Sequence, residues 1–371
     1  MINKQLKLIL VSTPIGYLGS GRGGGVELTI ISLIKGLILL GHKITLVAPK
    51  GSKVPFESEN LEIKLIDGID QPSWQHQKKT DPVLIPSNSV LPRLWEVVID
   101  LAISKESDAV INFAYDWLPL WLTKTQRIKI FHLISMGAES FVMKEIISQI
   151  AQLFPLQLAF HTKRQSEDYC LNIDPIIIGN GFDIENYLFN ENQNGPLGWA
   201  GRIAPEKGLE DAVKVANNLD EKLLVWGLIE DKEYASKVEN NVKKDIIEWK
   251  GFLPTNKFQE QLGECRAFIN TPKWNEAYGN VIVEAMACGV PVIGYDLGGP
   301  GELIQNGLNG FLVQPNDIEA MTKAIKLVSR IKRRNCRDWV EQKASNKVFA
   351  QRVENWINKG LNKKLSSDLK V

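Results

Sequence analysis

Two glutamates with seven residues between them, Glu276 and Glu284, stand either side of Gly279 in the stretch TPKWNEAYGNVIVEAMACGVPVIGYDLGG. A carboxylate accepts hydrogen bonds from hydroxyls, each charged hydrogen bond contributing roughly 1.5–3 kcal/mol. It cannot hold phosphate. A helix N-terminus can, because its first N–H groups lack partners and its dipole end is positive. Val281, Ile282, Ala285, Met286 and Ala287 fall at helical spacing directly after Gly279-Asn280. We read Glu276 as loop and Glu284 as first-turn helix, with Cys288-Gly289-Val290-Pro291 closing that helix as a glycine cap and a strand over 290–295. Phosphate with two polyols describes a sugar nucleotide. Acids are also favoured at a helix start with no ligand present, so spacing alone leaves both readings open.

A second constellation is Gly201-Arg202-Ile203-Ala204-Pro205-Glu206-Lys207-Gly208. Arg202 and Lys207, with a proline tolerated in the first turn of a helix predicted over 206–218, set two cations beside another helix N-terminus. Such a pair suits a diphosphate; ordinary surface cations are the alternative. Near the start, Gly19, Gly21 and Gly24 match G-x-G-x-x-G. The dinucleotide fingerprint also needs an acid closing the second strand, and that strand ends Val47-Ala48-Pro49-Lys50. The better reading is a flexible loop over 21–25 whose bare backbone lets a helix N-terminus approach phosphate, with a plain tight turn as the other possibility.

Further candidates follow short buried strands, where the sites of parallel sheets lie. His132 ends a strand over 128–131. Tyr115, Asp116 and Trp117 follow a strand over 108–113; the rings could stack on a flat heterocycle and Asp116 could take two hydrogen bonds from its edge. Equally, Trp117 and Trp121, four apart on a helix, could simply pack.

These residues need two α/β layers to hold them. Short apolar runs alternate with helical periods twice over the chain, which implies parallel sheets, and 371 residues exceed one ordinary domain. We place an N-terminal Rossmann-like domain over 1–190, completed by a final helix at about 345–362, and a second over 191–344, with the boundary in the Asn, Gln, Gly and Pro cluster at 190–196. The polar stretch 50–97 reads as a loop-rich insertion, and the tail from Lys363 as frayed.

Composition excludes other classes. Forty-four Lys+Arg against 43 Asp+Glu give a formal net charge of +1, with no whole-protein pull toward nucleic acid or anionic lipid. Cys170, Cys265, Cys288 and Cys336 lack metal-ligand spacing and read as reduced thiols. No signal peptide is visible, and the long apolar segment 28–48 is broken by Lys35, Gly36, Gly41, His42 and Lys43, so it cannot span a membrane. A cytoplasmic protein with no nucleic-acid partner and no stable membrane association is expected. The basic run from Arg330 to Arg337 reads as a solvated helix face, lipid contact being the rival.

The glutamate pair before a small-residue run and PVI, and Gly201 to Gly208, resemble the signatures of the retaining glycosyltransferases of family four. Asn180-Gly181-Phe182-Asp183 resembles that family's hinge. The resemblance implies a GT-B architecture, two Rossmann-like domains with parallel sheets facing across a nucleotide-sugar cleft that closes during transfer. It implies that Glu284 holds the nucleotide ribose and Glu276 the donor sugar. Arg202 and Lys207 would neutralise the leaving diphosphate, and Gly24 and Gly25 would abut it. Phe252 and Leu253 would line the base, His132 would contact the donor sugar, and Tyr278, Gly279, Asn280 and Val281 would complete the donor site. Tyr278 stands where phenylalanine is commoner. Within the family, GSGRGGGVELT, NFAYDWLP, HLISMG, GWAGRIAPEKGLEDA and TPKWNEAYGN are most similar to cyanobacterial UDP-glucose:tetrahydrobiopterin glucosyltransferases. That implies UDP-glucose as donor and a pterin acceptor met by Tyr115, Asp116 and Trp117.

No D-x-D triplet occurs, so metal-independent transfer with no cofactor is expected. A transferase of lipopolysaccharide or exopolysaccharide assembly would use the same donor residues. A non-catalytic sugar-nucleotide binder is disfavoured, because every expected donor residue is present.

Overall fold

The structure, a computed structural model, describes residues 4–104, 107–243 and 245–362; the tail from Lys363 lies outside them. The chain divides into two units, Met1–Gly181 with Asn346–Val371, and Phe182–Ser345.

In the first unit β1 (Lys7–Val11), β2 (Lys43–Pro49), β3 (Leu61–Ile66), β4 (Ala109–Asn112), β5 (Ile130–Ile134), β6 (Leu158–Phe160) and β7 (Ile176–Ile177) form one sheet in the order β3-β2-β1-β4-β5-β6-β7. Every pairing is parallel. Both faces of such a sheet are covered by helices, so its central strands read as unbroken apolar runs: all of β4 and β5 is buried. Strand β3 is the exception. It lies at the sheet's edge with no fully buried residue, which is why the stretch 50–97 looks like loop in the sequence although it carries β3 and the start of the helix Val90–Ser104.

The second unit holds β8 (Leu197–Ala200), β9 (Leu223–Trp226), β10 (Ile247–Gly251), β11 (Ala267–Asn270), β12 (Val292–Tyr295) and β13 (Gly310–Val313), parallel throughout, in the order β10-β9-β8-β11-β12-β13. In each sheet the strand order reverses once, at β1/β4 and at β8/β11. Loops leaving the carboxyl ends of strands beside such a reversal form the ligand crevice of open α/β sheets.

The units divide between Gly181 and Phe182, inside the hinge-like segment rather than at 190–196. Phe182 and Tyr187 are buried in the second unit's core, ring centroids 6.4 Å apart, and the Phe182 amide donates to the Ala344 carbonyl at 2.8 Å. The chain returns to the first unit as the helix Asn346–Asn362. That helix packs on the helix Gly25–Leu39 so tightly that a Cβ on Gly36 would collide with the Asn346 carbonyl and come within 2.7 Å of Ala350 Cβ. Trp356 meets Phe131 edge-on at 5.2 Å and donates its indole N–H to the Leu156 carbonyl at 2.8 Å.

Candidate active site

The reversal at β8/β11 gathers the second unit's chemistry. After β8 the chain turns through Gly201, whose carbonyl lies where any side chain on Gly227 would be. The Ile203 amide donates to the Leu228 carbonyl at 2.9 Å. This registry lays Arg202 against Glu230: its Nη1 donates to both Glu230 oxygens at 2.7 Å, and its Nη2 to Glu206 Oε1 at 2.7 Å. A short 3₁₀ turn, Pro205–Lys207, intervenes before the helix Leu209–Leu219, which therefore starts later than the predicted 206 because Gly208 takes a left-handed φ of 65°. Lys207 Nζ stands 2.5 Å from Glu276 Oε1 and 4.8 Å from the centre of the Trp274 ring.

Glu276 reaches that position from the loop after β11. Thr271 ties the loop's start to the Gly201–Gly208 segment, its hydroxyl donating to the Gly208 carbonyl at 2.8 Å. The loop's far side rests on Gly298-Gly299. The Gly299 amide donates to the Glu276 carbonyl at 2.7 Å, a Cβ on Gly298 would sit 2.7 Å from the Glu276 nitrogen, and one on Gly299 would collide with the Tyr278 carbonyl. Gly279 then opens the helix Asn280–Ala287 with a φ of 106°. Because the helix starts at Asn280, Glu284 lies in its second turn, not its first, and is 5% exposed. Burial pushes its carboxyl up to about 7, against the pull of the Tyr187 hydroxyl, which donates to Oε1 at 3.1 Å. Tyr278 turns its ring into the core, so the loop offers backbone there. Phe252, beyond β10, is exposed, while Leu253 and Val281 pack partly against that core.

The basic run beyond Arg330 turns inward in part. Arg333 is buried, donating to the carbonyls of Asn192, Cys265 and Gly263 at 2.5, 2.9 and 2.7 Å. Arg337 donates to the carbonyls of Tyr187, Ala287 and Ile184 at 2.6, 2.7 and 3.2 Å. Arg333 and Arg337 are therefore internal scaffolding, while Arg330, Lys332 and Arg334 stay exposed as a solvated face would. Burial pushes the thiols of Cys265, Cys288 and Cys336 up to about 12, and all four cysteines are free.

In the first unit the reversal lies at β1/β4. Gly24 caps the helix Gly25–Leu39 with a φ of 57°, and Arg22 pairs with Asp70. The other candidates there depart from expectation. His132 is the central residue of β5, with no exposure. Burial pulls its imidazole down to about 3, and its Nε2 and Nδ1 lie 2.7 and 3.0 Å from Thr123 Oγ1 and Asn112 Nδ2. In this arrangement it is a packed core histidine, and Ser135 is the half-buried residue leaving the strand's carboxyl end. Tyr115 is buried too, donating to the Gly137 carbonyl at 3.3 Å and accepting from Tyr169 at 3.2 Å. Asp116 is 1% exposed and caps the helix Trp117–Thr125, Oδ1 accepting from the Trp117 amide at 2.7 Å. Its Oδ2 is buried with no hydrogen-bond partner, and burial pushes the carboxyl up to about 6 against the Trp117 amide and the nearby Trp74 indole. It presents no bidentate face. Trp117 stacks on Trp121, centroids 5.8 Å apart at 19°.

Among the described residues no group of three or more His, Cys, Asp or Glu side chains is placed to hold a metal, and no helix is long and apolar enough to cross a membrane. Residues 186–346 match the family model described as Glycosyl transferases group 1. An uncharacterized glycosyltransferase of Methanocaldococcus jannaschii is 32% identical over 159 residues, 42% of this chain and 44% of that protein. The capsular polysaccharide biosynthesis glycosyltransferase CapM of Staphylococcus aureus is 28% identical over 200 residues, 48% of this chain and 51% of that one. The chain thus spans about half the length of the curated relatives it matches. Among solved structures, HepE of Anabaena in complex with UDP and glucose superimposes with a TM-score of 0.72 at 17% identity, covering 95% of this chain and all of that one. The fold is GT-B.

Within this GT-B chain, the sequence-predicted Arg202, Lys207, Glu276, Gly279, Asn280 and Glu284 all belong to the one strand-order reversal of the second unit. Sequence reasoning missed Glu230, Tyr187 and the Gly298-Gly299 platform. Only the last left a local trace, a glycine pair after a buried strand, which marks close backbone approach.

Proposed function

We infer that this protein is a glycosyltransferase that moves a hexose from a UDP-sugar to a hydroxyl acceptor. The observation that carries the reading is the Lys207–Glu276 contact, which joins the cation loop after β8 to the loop leading into the helix Asn280–Ala287. In this reading the amides at Asn280 and Val281 receive phosphate oxygens. Arg202 and Lys207 balance charge on the departing diphosphate, the work a metal does elsewhere, by preorganised electrostatic stabilisation. Glu284 accepts from the ribose diol, Glu276 from hydroxyls of the sugar, and the Phe252-Leu253 backbone borders the base. Both carboxylates reach hydroxyls only by keeping a lone pair spare, and each has two oxygens with which to do so. Retention of anomeric configuration goes with the family likeness.

The finer reading is glucose as the sugar and tetrahydrobiopterin as the acceptor. Its support is the likeness of the first-unit segments GSGRGGGVELT, NFAYDWLP and HLISMG. With Tyr115 and Asp116 turned inward, the stacked Trp117 and Trp121 are what that segment offers a flat ring. A second reading, assembly of a surface polysaccharide, draws on the likeness to the capsular polysaccharide enzyme; with Arg333 and Arg337 turned inward, its lipid contact is left to the exposed Arg330, Lys332 and Arg334.

Mass spectrometry of the protein incubated with UDP-glucose and tetrahydrobiopterin, reduced and with a chelator present, tests the reading. A product heavier than the pterin by one hexose supports donor, acceptor and metal independence together. UDP binding without product returns the acceptor to the polysaccharide reading, and failure to bind UDP overturns the whole assignment.

A further inference from the structure

Glu27 carries no motif role, yet it is among the most engaged carboxylates of the first unit. It lies in the first turn of the helix Gly25–Leu39, 6% exposed, and its carboxylate turns back over the glycine loop. Oε2 accepts from the amides of Gly19 at 2.7 Å and Gly21 at 3.3 Å; Oε1 accepts from the amide of Gly23 at 2.8 Å and the hydroxyl of Ser20 at 3.1 Å. Amides converging in this way form an anion nest. The φ angles of Gly19 and Gly21, 96° and 76°, are what aim them, and Gly23 has little room for a side chain, since a Cβ there would stand 3.0 Å from both Glu27 Cγ and Thr13 Cγ2. The loop is thus built around an anion, and the anion is the chain's own.

We propose that Glu27 is a positioning residue: the internal counter-anion that folds the loop 19–24 and thereby sets the backbone of Gly24 and Gly25 at the start of the helix. The amides of Gly19, Gly21 and Gly23 are spent on it, so the glycine-rich stretch holds no donor phosphate at those positions, and what it offers a diphosphate is confined to its last two glycines. Hydrogen bonds to a charged acceptor are roughly twice as strong as neutral ones. Without the carboxylate, glycines that populate many conformations have nothing to hold them in these. The loop half of this inference stands on geometry alone; its effect on turnover rests on the glycosyl-transfer reading.

The test compares the full chain with Glu27→Ala and Glu27→Gln. Arg22 is an exposed trypsin site inside the loop. The alanine variant should be cut after Arg22 at least tenfold faster, the glutamine variant at an intermediate rate. Acetate, which has the size of the group removed, should restore protection to the alanine variant and with it the rate of sugar transfer. Should the alanine variant fail to fold, the glutamine variant carries the comparison. Equal cleavage of all the proteins, or no effect of acetate, overturns the nest. A loop that opens while turnover stays unchanged overturns the positioning role. A loop that opens and closes with acetate in a protein that transfers no sugar, even unmodified, leaves the nest standing and overturns the transfer reading instead.

Discussion

Lys207 Nζ lies 2.5 Å from Glu276 Oε1, and the two side chains are 16% and 17% exposed. A cation and an acid contributed by loops after different strands hold each other in place before any substrate arrives. Replacing Lys207 by alanine removes the cation proposed to balance the leaving group and takes away the Glu276 contact. Loss of one preorganised donor is worth about 2.7–4 kcal/mol in the barrier, or about 10²–10³ in kcat. Glu276→Gln, which keeps a hydrogen-bonding group, should lose less. Steady-state transfer rates decide it, and a Lys207→Ala variant within threefold of normal would remove Lys207 from the mechanism.

Gly299→Ala probes the platform under the same loop. The added methyl meets the Tyr278 carbonyl, so the loop 276–279 must lift. Overpacking of this kind costs about 1–3 kcal/mol of stability, but the larger effect should fall on the donor: calorimetry should show UDP affinity reduced at least tenfold while circular dichroism stays that of the parent. Parental UDP affinity would mean that the platform does not set the site.

Glu284 gives a pH signature. Its carboxyl is pushed up to about 7 from an ordinary 4.5, so over that interval the folded protein keeps a proton the unfolded chain has released. Stability from this group is full below about pH 4.5, falls as pH rises, and levels off above about 7. Denaturant unfolding at pH 5, 6 and 7.5 should show that slope in the parent and lose it in Glu284→Gln; an unchanged slope would exclude Glu284 as its source. If the charged form grips the ribose, UDP affinity should rise over the window in which stability falls.

Asp116→Asn separates capping from recognition. Asparagine caps a helix about as well as aspartate, whereas alanine costs about 1 kcal/mol. The asparagine variant should be at least as stable as the parent above pH 6, because it buries no charge, and its acceptor KM should be unchanged. A raised acceptor KM with normal UDP binding would show instead that Asp116 meets the acceptor.

Gly36→Ala tests how the terminal helix docks. Its methyl has no space against Asn346 and Ala350, and a loss of about 1–3 kcal/mol is expected, read as a lower denaturation midpoint. Unaltered stability would mean the helix pair can separate freely.

The central strands and the glycine-framed constellations of the second unit were legible because each is written locally. Buried parallel strands are continuous apolar runs, and Arg202, Lys207, Glu276 and Glu284 sit at fixed spacings around glycines. Pairings across the fold are not written that way. Nothing near Glu230 announces Arg202, and nothing near Tyr187 announces Glu284, since a side chain's partner is set by strand order. Edge strand β3 reads as loop because none of its residues is fully buried, and His132 reads as a site-edge residue because its strand runs on to Ile134 instead of ending at 131. Glu27 had a readable sign: a glutamate three residues after a helix cap is where a side chain turns back to bind preceding amides.

The first unit is closed by the helix Asn346–Asn362, and this has a consequence for synthesis. Domains generally fold as they leave the ribosome, but here the seven-stranded sheet emerges first and its covering helix only after all of Phe182–Ser345 has been made. Until then the apolar face that Phe349, Val353 and Trp356 will cover stays open. The second unit can be complete while the first still waits, so a pause or truncation late in translation leaves a finished second unit attached to an unfinished first.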